Sequence, residues 1–182
     1  MTLEEEYNNQ IVPEFLEKDR FSNRAEVPTV GKIVVNIGFG KKKDDLSDEQ
    51  LEKFRSDLKQ VTGQRPNDRR ARKSEAGWNL RKGDLVGMAV TLRGKKKWGF
   101  LEKLIKVALP RVRNFRGIST ESFDGHGNLS IGLVEYTCFP EVTSEEGGVI
   151  SGLEMTVVTS ADNDEDGYLL LEKLGIPFAR EE

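Results

Sequence analysis

Apolar residues recur at helical spacing in three parts of the chain, which predicts three helices. The stripes are Leu3, Tyr7, Ile11 and Phe15; then Leu51, Phe54, Leu58 and Val61; then Trp98, Leu101, Ile105 and Ala108. Pro13 is expected to kink or split the first helix, and Pro110 to end the third. Ser47 and Gln50 form a capping box before the second helix, which Gly63 is expected to end.

Large apolar residues at every second position predict strands at residues 31–38 and 88–92. Further strands are predicted at residues 129–139 and 153–160, and a short last helix at 165–174. Helices and strands mix without regular β-α-β alternation. The pattern therefore predicts an α+β fold, with a largely antiparallel sheet and helices packed on one face. The length of 182 residues favours a single domain over residues 1–182.

The opposite face of this sheet carries polar side chains on two of the predicted strands. Alternation assigns Lys32 and Asn36 to this face from one strand, and Thr91 and Arg93 from another. Amide, hydroxyl and guanidinium groups can contact phosphates, 2′-hydroxyls and base edges of RNA. A merely solvated sheet face would show the same pattern, so both interpretations stay open at this point.

Charge is distributed very unevenly along the chain, and this favours the RNA-contacting sheet face over the merely solvated one. Residues 65–116 hold sixteen basic and four acidic side chains, a net charge of +12, whereas the whole chain carries −3. The remainder therefore carries −15. A polyanion would relieve the self-repulsion of the basic part, so the distribution favours a nucleic-acid partner.

A long exposed loop is predicted at about residues 65–84. It combines cations, an aromatic ring and small residues: Arg69, Arg70, Arg72, Lys73, Ser74, Gly77 and Trp78. Cations neutralise phosphates, and an exposed indole stacks on a base or sugar. RNA contact is the favoured interpretation, and a mobile loop with Trp78 tucked on the core is the alternative. Arg111 and Arg113 stand at alternate positions of a short segment predicted to be extended, which also carries Arg116 and suits RNA or an acidic protein equally.

Other classes of function find little support. Cys138 is the single cysteine, which excludes an internal disulfide and fits a reducing cytoplasm. The chain shows no secretory signal pattern and no apolar run of the length that a membrane span needs, so no membrane is expected. His126 and Cys138 lack a third orienting group for catalysis, so no enzyme is expected. Residues 162–167 imitate a calcium loop, but Lys173 replaces its required Glu, so neither metal nor cofactor is expected.

Several motifs together resemble one family, the bacterial large-subunit ribosomal protein L5, which binds 5S rRNA. The resemblance runs from about Tyr7 to Phe178, and any one motif alone is weak. The motifs are those at residues 27–28, 32–40, 62–66, 71–74, 76–77, 90–94, 110–117, 122–128, 139–141 and 176–178.

The resemblance implies a structural protein of the central protuberance, located in the cytoplasm on the large subunit. It implies 5S rRNA contacts at Asn36, Gln64 and Thr91, with Lys32 and Arg93 on the same face. It also implies that the basic loop reaches P-site tRNA. A bridge to a small-subunit head protein is implied at residues 110–117 and 142–151. Further implied partners are 23S rRNA and neighbouring large-subunit proteins.

Three departures from the family pattern are visible. The chain is acidic overall, residues 143–151 lack basic side chains, and Val34 stands where a small polar residue is common. Two rival functions stay open beside the resemblance. One is a protein–protein adaptor whose basic side docks on an acidic partner with non-specific RNA affinity. The other is an enzyme acting on RNA.

Overall fold

The computed structural model describes residues 1–17, 20–39, 46–142 and 152–179. Five strands form one antiparallel sheet, which confirms the predicted α+β class. The strands are β1 (Val30–Gly38), β2 (Asn67–Arg70), β3 (Leu85–Leu92), β4 (Leu129–Leu133) and β5 (Leu153–Thr159). Their order across the sheet is β2-β3-β1-β5-β4, so β2 and β4 are the edge strands.

The helices are α1 (Leu3–Glu6), α2 (Val12–Glu17), α3 (Asp48–Thr62), α4 (Lys95–Lys103), α5 (Leu109–Arg111) and α6 (Asp164–Lys173). Single 3₁₀ turns occur at Ala76–Trp78, Thr120–Ser122 and Tyr136–Cys138. Two compact units are built from these elements. The first comprises Met1–Ile33, Arg93–Ile131 and Thr156–Glu182, and the second comprises Val34–Leu92 and Gly132–Met155.

Both ends of α3 follow directly from its sequence. The Ser47 hydroxyl accepts a hydrogen bond from the Gln50 backbone N–H at 3.3 Å, and the Gln50 side chain accepts one from the Ser47 N–H at 2.9 Å. Gly63 ends the helix with φ +66°, a left-handed conformation that suits glycine. The predicted capping box and stop are therefore confirmed.

Each of the two prolines within helical segments follows a π-helical turn. Tyr7–Ile11 joins α1 to α2 before Pro13, and Leu104–Ala108 joins α4 to α5 before Pro110. In each case a backbone N–H reaches back five residues, from Val12 to the Tyr7 carbonyl and from Leu109 to the Leu104 carbonyl. The wider turn lets the helix accommodate proline, which lacks a donor and crowds the preceding turn. The prediction that the third helix ends at Pro110 was therefore wrong, because helical structure continues to Arg111.

The predicted strand at residues 129–139 is also too long. β4 ends at Leu133, Val134 is exposed, and the chain turns into the 3₁₀ segment Tyr136–Cys138. The Tyr136 hydroxyl donates to buried Asp57 on α3 at 3.0 Å. This contact draws Tyr136 away from a strand path, and Phe54 of α3 packs against it with ring centroids 5.9 Å apart.

Candidate nucleic-acid interface

Burial alternates along β1, as its sequence pattern predicts. Ile33, Val35 and Ile37 are fully buried, whereas Val34 and Asn36 are half-buried on the other face. In β3, Met88 and Leu92 are fully buried, and Thr91 is half-buried. Asn36 and Thr91 are therefore partly accessible. In β3 the alternation is incomplete, because Ala89 is buried on the same face as Thr91.

The two strands approach each other closely at this point. The Phe39 backbone N–H donates to the Val86 carbonyl at 2.9 Å. A methyl group at Gly87 would lie only 2.5 Å from the Ile37 carbonyl oxygen. Only glycine leaves room for this approach, so Gly87 supports the pairing that sets β1 beside β3.

Gln64 joins the same region from the end of α3. Its Nε2 donates to the Thr91 carbonyl oxygen at 3.3 Å, across 27 positions of sequence. The Thr62 hydroxyl accepts the Gln64 backbone N–H at 3.3 Å, which fixes the chain as it leaves the helix. Gln64 and Thr91 are therefore adjacent in space, and the bond uses the Thr91 backbone, so the Thr91 hydroxyl is not engaged by Gln64.

The other two residues predicted for this face belong to the first unit. Lys32 is half-buried on β1, and Arg93 is exposed directly after β3. Among the described residues, neither side chain makes an ion pair. Both keep their charge available for a partner.

The predicted basic loop, residues 65–84, is largely paired as a hairpin with the start of β3. These residues are named here the basic hairpin. β2 pairs antiparallel with β3, with Asn67 opposite Ala89 and Arg69 opposite Gly87. The pairing continues through Ala71, whose N–H donates to the Asp84 carbonyl at 2.8 Å. Near the tip, Glu75 and Leu80 exchange two backbone hydrogen bonds of 2.8 and 3.1 Å. The predicted loop is exposed over most of its length, but in these segments it is paired as a hairpin rather than irregular.

Two of the three acidic side chains of the basic hairpin, Asp68 and Asp84, serve as internal anchors. Arg55 of α3 forms a bidentate ion pair with Asp68, with its Nη2 at 3.1 and 3.0 Å from the two carboxylate oxygens. Asp84 accepts the Arg81 backbone N–H at 2.9 Å, and the Ser74 hydroxyl accepts that of Lys82 at 2.9 Å. Arg70 donates to the Gly83 carbonyl at 3.1 Å. Ser74 and Arg70 thus have structural roles that sequence reasoning missed.

The remaining cations of the hairpin are exposed. Within the part of the chain that the structure describes, they make no ion pair: Arg65, Arg69, Arg72, Lys73, Arg81 and Lys82. Residues 65–84 hold seven basic and three acidic side chains, so the hairpin keeps a net charge of +4.

Trp78 lies at the hairpin tip and is 66% exposed. It ends the 3₁₀ turn Ala76–Trp78, which Asn79 closes with φ +48°. The alternative that Trp78 packs on the core is therefore wrong. A Cβ at Gly77 would meet no atom within 4 Å, so the fold itself does not require glycine there.

The sequence matches two profiles of one family. The ribosomal protein L5 profile covers residues 23–81, and the profile of the C-terminal part of the same ribosomal family covers residues 85–178. Curated relatives include a protein of Rubrobacter xylanophilus, 46% identical over 176 residues, and one of Halothermothrix orenii, 44% identical over 176 residues; each match covers 97% of both chains. A protein of Streptococcus thermophilus is 43% identical over 178 residues, or 98% of both chains. All three are named large ribosomal subunit protein uL5.

The chain belongs to the ribosomal protein L5 family. Membership confirms the family predicted from the motifs and makes the protein a ribosomal structural protein rather than an enzyme. The predicted large-subunit, rRNA-binding and cytoplasmic assignments agree with it.

The cations predicted for a subunit bridge lie in a different geometry from that expected. Arg111 ends α5, and Arg113 lies in a turn that Asn114 closes with φ +53°, so the segment is not extended there. Arg111, Arg113 and Arg116 are all exposed. Of the second predicted bridge segment, residues 142–151, all but Val142 lie outside the described residues.

Catalytic and metal chemistry have no visible site in the described ranges. His126 is exposed in a turn, and Cys138 is buried. Residues 1–17, 20–39, 46–142 and 152–179 contain no group of three or more His, Cys, Asp or Glu side chains arranged to hold a metal ion. Nor do these ranges contain a helix long and apolar enough to cross a membrane.

Proposed function

We propose that this L5-family protein binds 5S rRNA in the central protuberance of the large subunit, through the face carrying Asn36, Gln64 and Thr91. The observation that supports this most strongly is the hydrogen bond from Gln64 to the backbone of Thr91. It joins two residues 27 positions apart that the family resemblance assigns to the same RNA. The amide and hydroxyl groups of this face suit 2′-hydroxyls and base edges.

In this proposal, one set of residues supplies the affinity for RNA and another sets the position of the protein on it. The exposed cations of the basic hairpin, with Lys32 and Arg93, neutralise phosphates and supply the salt-dependent part of binding. Asn36, Gln64 and Thr91 carry no charge and act by fitting a particular RNA shape. Removing one of them therefore weakens binding to 5S rRNA more than binding to an unrelated duplex.

We propose further that the tip of the basic hairpin contacts P-site tRNA. The paired stem, anchored by the Arg55–Asp68 ion pair, holds the tip at a defined distance from the sheet. Trp78 exposes its indole there, beside Arg72, Lys73, Arg81 and Lys82. An exposed aromatic ring with flanking cations is suited to stacking on a base or sugar of RNA. Glu75 is the one acid at the tip, against the four cations Arg72, Lys73, Arg81 and Lys82, so the tip keeps a net positive charge.

The exposed arginines at residues 111, 113 and 116 suit a bridge to an acidic surface of a small-subunit head protein. Contacts with 23S rRNA and neighbouring large-subunit proteins are included in the proposal on the family resemblance. Loss of subunit association in ribosomes carrying all three arginines as alanine is the expected consequence. Unchanged association of such ribosomes would remove the bridge from the proposal.

The central test compares Thr91→Val and Asn36→Ala with the unmodified protein in a gel shift on transcribed 5S rRNA. Valine keeps the branched shape of threonine and the backbone bond from Gln64, so only the hydroxyl is lost. Losing one hydrogen bond to RNA costs about 1 kcal/mol, so we expect Kd to rise roughly five-fold. Binding to an unrelated duplex of the same length is expected to stay unchanged.

A matched control is Thr137→Val. Thr137 is also half-buried, its hydroxyl donates to Glu135 at 3.3 Å, and it is not among the residues proposed to contact RNA. This variant is expected to bind 5S rRNA as the unmodified protein does. Equal losses on both RNAs, or an equal loss in Thr137→Val, would argue against shape recognition by Thr91.

A further inference from the structure

A groove of about 840 Å³ opens on the first unit, outside the RNA-binding residues. Three aromatic rings line it, and each is only half-buried: Phe123, Tyr168 and Phe178. The ring centroid of Phe178 lies 6.0 Å from that of Phe123 and 4.5 Å from that of Tyr168. The groove therefore presents a continuous aromatic floor that is partly open to solvent.

The groove walls are fixed by hydrogen bonds, so the groove exists before any partner binds. Asp164 accepts the backbone N–H groups of Gly125 at 3.0 Å and Gly127 at 2.8 Å. The Ile118 N–H donates to the Pro177 carbonyl, and the Ala179 N–H to the Ile118 carbonyl, both at 2.9 Å. These bonds tie the segment before Phe123 to the segment that carries Phe178.

The charge around the groove is opposite to that of the basic hairpin. Residues 119–128 and 162–179 hold seven acidic side chains and one basic one, Lys173, a net charge of −6. Lys173 is paired with Glu14 at 2.7 Å. Arg20 reaches Asp166 at 2.8 Å and Glu165 at 3.3 Å, and Glu172 accepts the Tyr168 hydroxyl at 3.0 Å. Such a surface repels the phosphates of RNA and is better suited to a cationic protein segment.

We propose that this groove, named here the acidic groove, binds an arginine-containing basic segment of another protein. A guanidinium group is planar, stacks on aromatic faces and pairs with carboxylates, and the acidic groove offers both features together. Rings alone would suit any apolar segment, and carboxylates alone would suit any cation. Their combination at Tyr168 and Glu172, which share one hydrogen bond, selects arginine over lysine. The proposal does not depend on 5S rRNA binding.

The test uses the full-length protein and a fluorescein-labelled peptide of four Gly-Arg repeats, followed by fluorescence anisotropy without RNA. Tyr168→Leu removes the ring that is hydrogen-bonded to Glu172, and we expect the Kd for the peptide to rise about five-fold. Tyr168→Phe keeps the ring and is expected to bind nearly as the unmodified protein does. A peptide of four Gly-Lys repeats is expected to bind several-fold more weakly than the arginine peptide.

Two further variants separate the groove from general acidity. Glu172→Gln removes one groove charge and is expected to weaken binding, whereas Glu49→Gln removes one exposed charge on α3 and is expected to leave it unchanged. Should Tyr168→Leu fail to fold, the pair Glu172→Gln and Glu49→Gln still decides the question. Equal effects of these two charge variants, or equal binding of the arginine and lysine peptides, would overturn the proposal. A loss of 5S rRNA binding in a folded Tyr168→Leu protein would assign the groove to RNA and overturn it as well.

Discussion

Gly87 is predicted to be the position in β3 where one added methyl group does most damage. Its Cβ would lie 2.5 Å from the Ile37 carbonyl oxygen, and 3.4 Å from the Gly38 Cα. Carbon–oxygen contacts between strands normally measure about 3.3–3.6 Å, so β1 and β3 would have to separate by about 0.8 Å. The obstructing atom belongs to the backbone and cannot rotate away, as the end of a side chain would.

The cost of Gly87→Ala follows from this geometry. Overpacking typically costs about 1–3 kcal/mol, and the rigid partner puts this case near the upper value. For a chain of this size, about 3 kcal/mol corresponds to a fall in Tm of roughly 6–12 °C. Because Asn36 precedes the distorted pairing and Thr91 follows it, binding to 5S rRNA is expected to weaken as well. Thermal unfolding followed by circular dichroism measures the first effect, and a gel shift measures the second.

Gly132→Ala is the matched control for this prediction. Gly132 also lies in a strand, β4, but a Cβ there would meet no atom within 4 Å. Alanine in a strand interior is favoured over glycine by roughly 0.5–1 kcal/mol, so this variant is expected to unfold slightly higher than the unmodified protein. If Gly87→Ala melts together with Gly132→Ala, the close approach of β1 and β3 is not present in solution.

Two further predictions concern the second unit. Tyr136→Phe leaves the buried Asp57 carboxylate without its tyrosine donor, so the free energy of unfolding in urea is expected to fall by about 1–3 kcal/mol. Burial, with the neighbouring Asp57 charge, raises the pKa of Tyr136 above its usual value. The contribution of Tyr136 to stability is therefore complete below about pH 10 and declines as the pH rises further. Tyr136→Phe should lose less stability than the unmodified protein between about pH 9 and 11, and an identical slope of stability against pH in the two proteins would contradict the buried pair. Trp78 is exposed and Trp98 is buried, so acrylamide is expected to quench mainly the fluorescence of Trp78, which the Trp78→Phe variant lacks. Added tRNA should protect the Trp78 fluorescence from acrylamide. Quenching that is unchanged at saturating tRNA would exclude the stacking role of Trp78.

Local signals predicted the parts of the fold that depend on neighbouring residues. Ser47, Gln50 and Gly63 define α3 because capping bonds span only three or four positions. Alternation located β1 and β5 because buried apolar residues recur at every second position over most of each strand. The same alternation separated Asn36 and Thr91 from the core, so the residues of the candidate site were accessible to sequence reasoning even where its partners were not.

Contacts between residues distant in sequence explain where the sequence-based predictions of strands and loops were wrong. β2 is an edge strand of four mostly exposed polar residues, so no apolar period marks it, and its pairing with β3 fixes it instead. The Tyr136–Asp57 bond, across 79 positions, ends the predicted strand early. The Arg55–Asp68 anchor and the aromatic floor of the acidic groove likewise join residues whose spacing in the sequence carries no motif. The π-helical turns before Pro13 and Pro110 arise because a wider turn is an alternative to breaking the helix.

The most direct test of the central claim is the salt dependence of 5S rRNA binding by the unmodified protein and by Thr91→Val. Each phosphate neutralised contributes a slope of about −0.7 to −0.9 in log K against log salt. Thr91 is uncharged, so we expect two parallel lines, displaced by a roughly five-fold difference in Kd on 5S rRNA and coincident on an unrelated duplex. Coincident lines on 5S rRNA, or a displacement of equal size on both RNAs, would contradict the account.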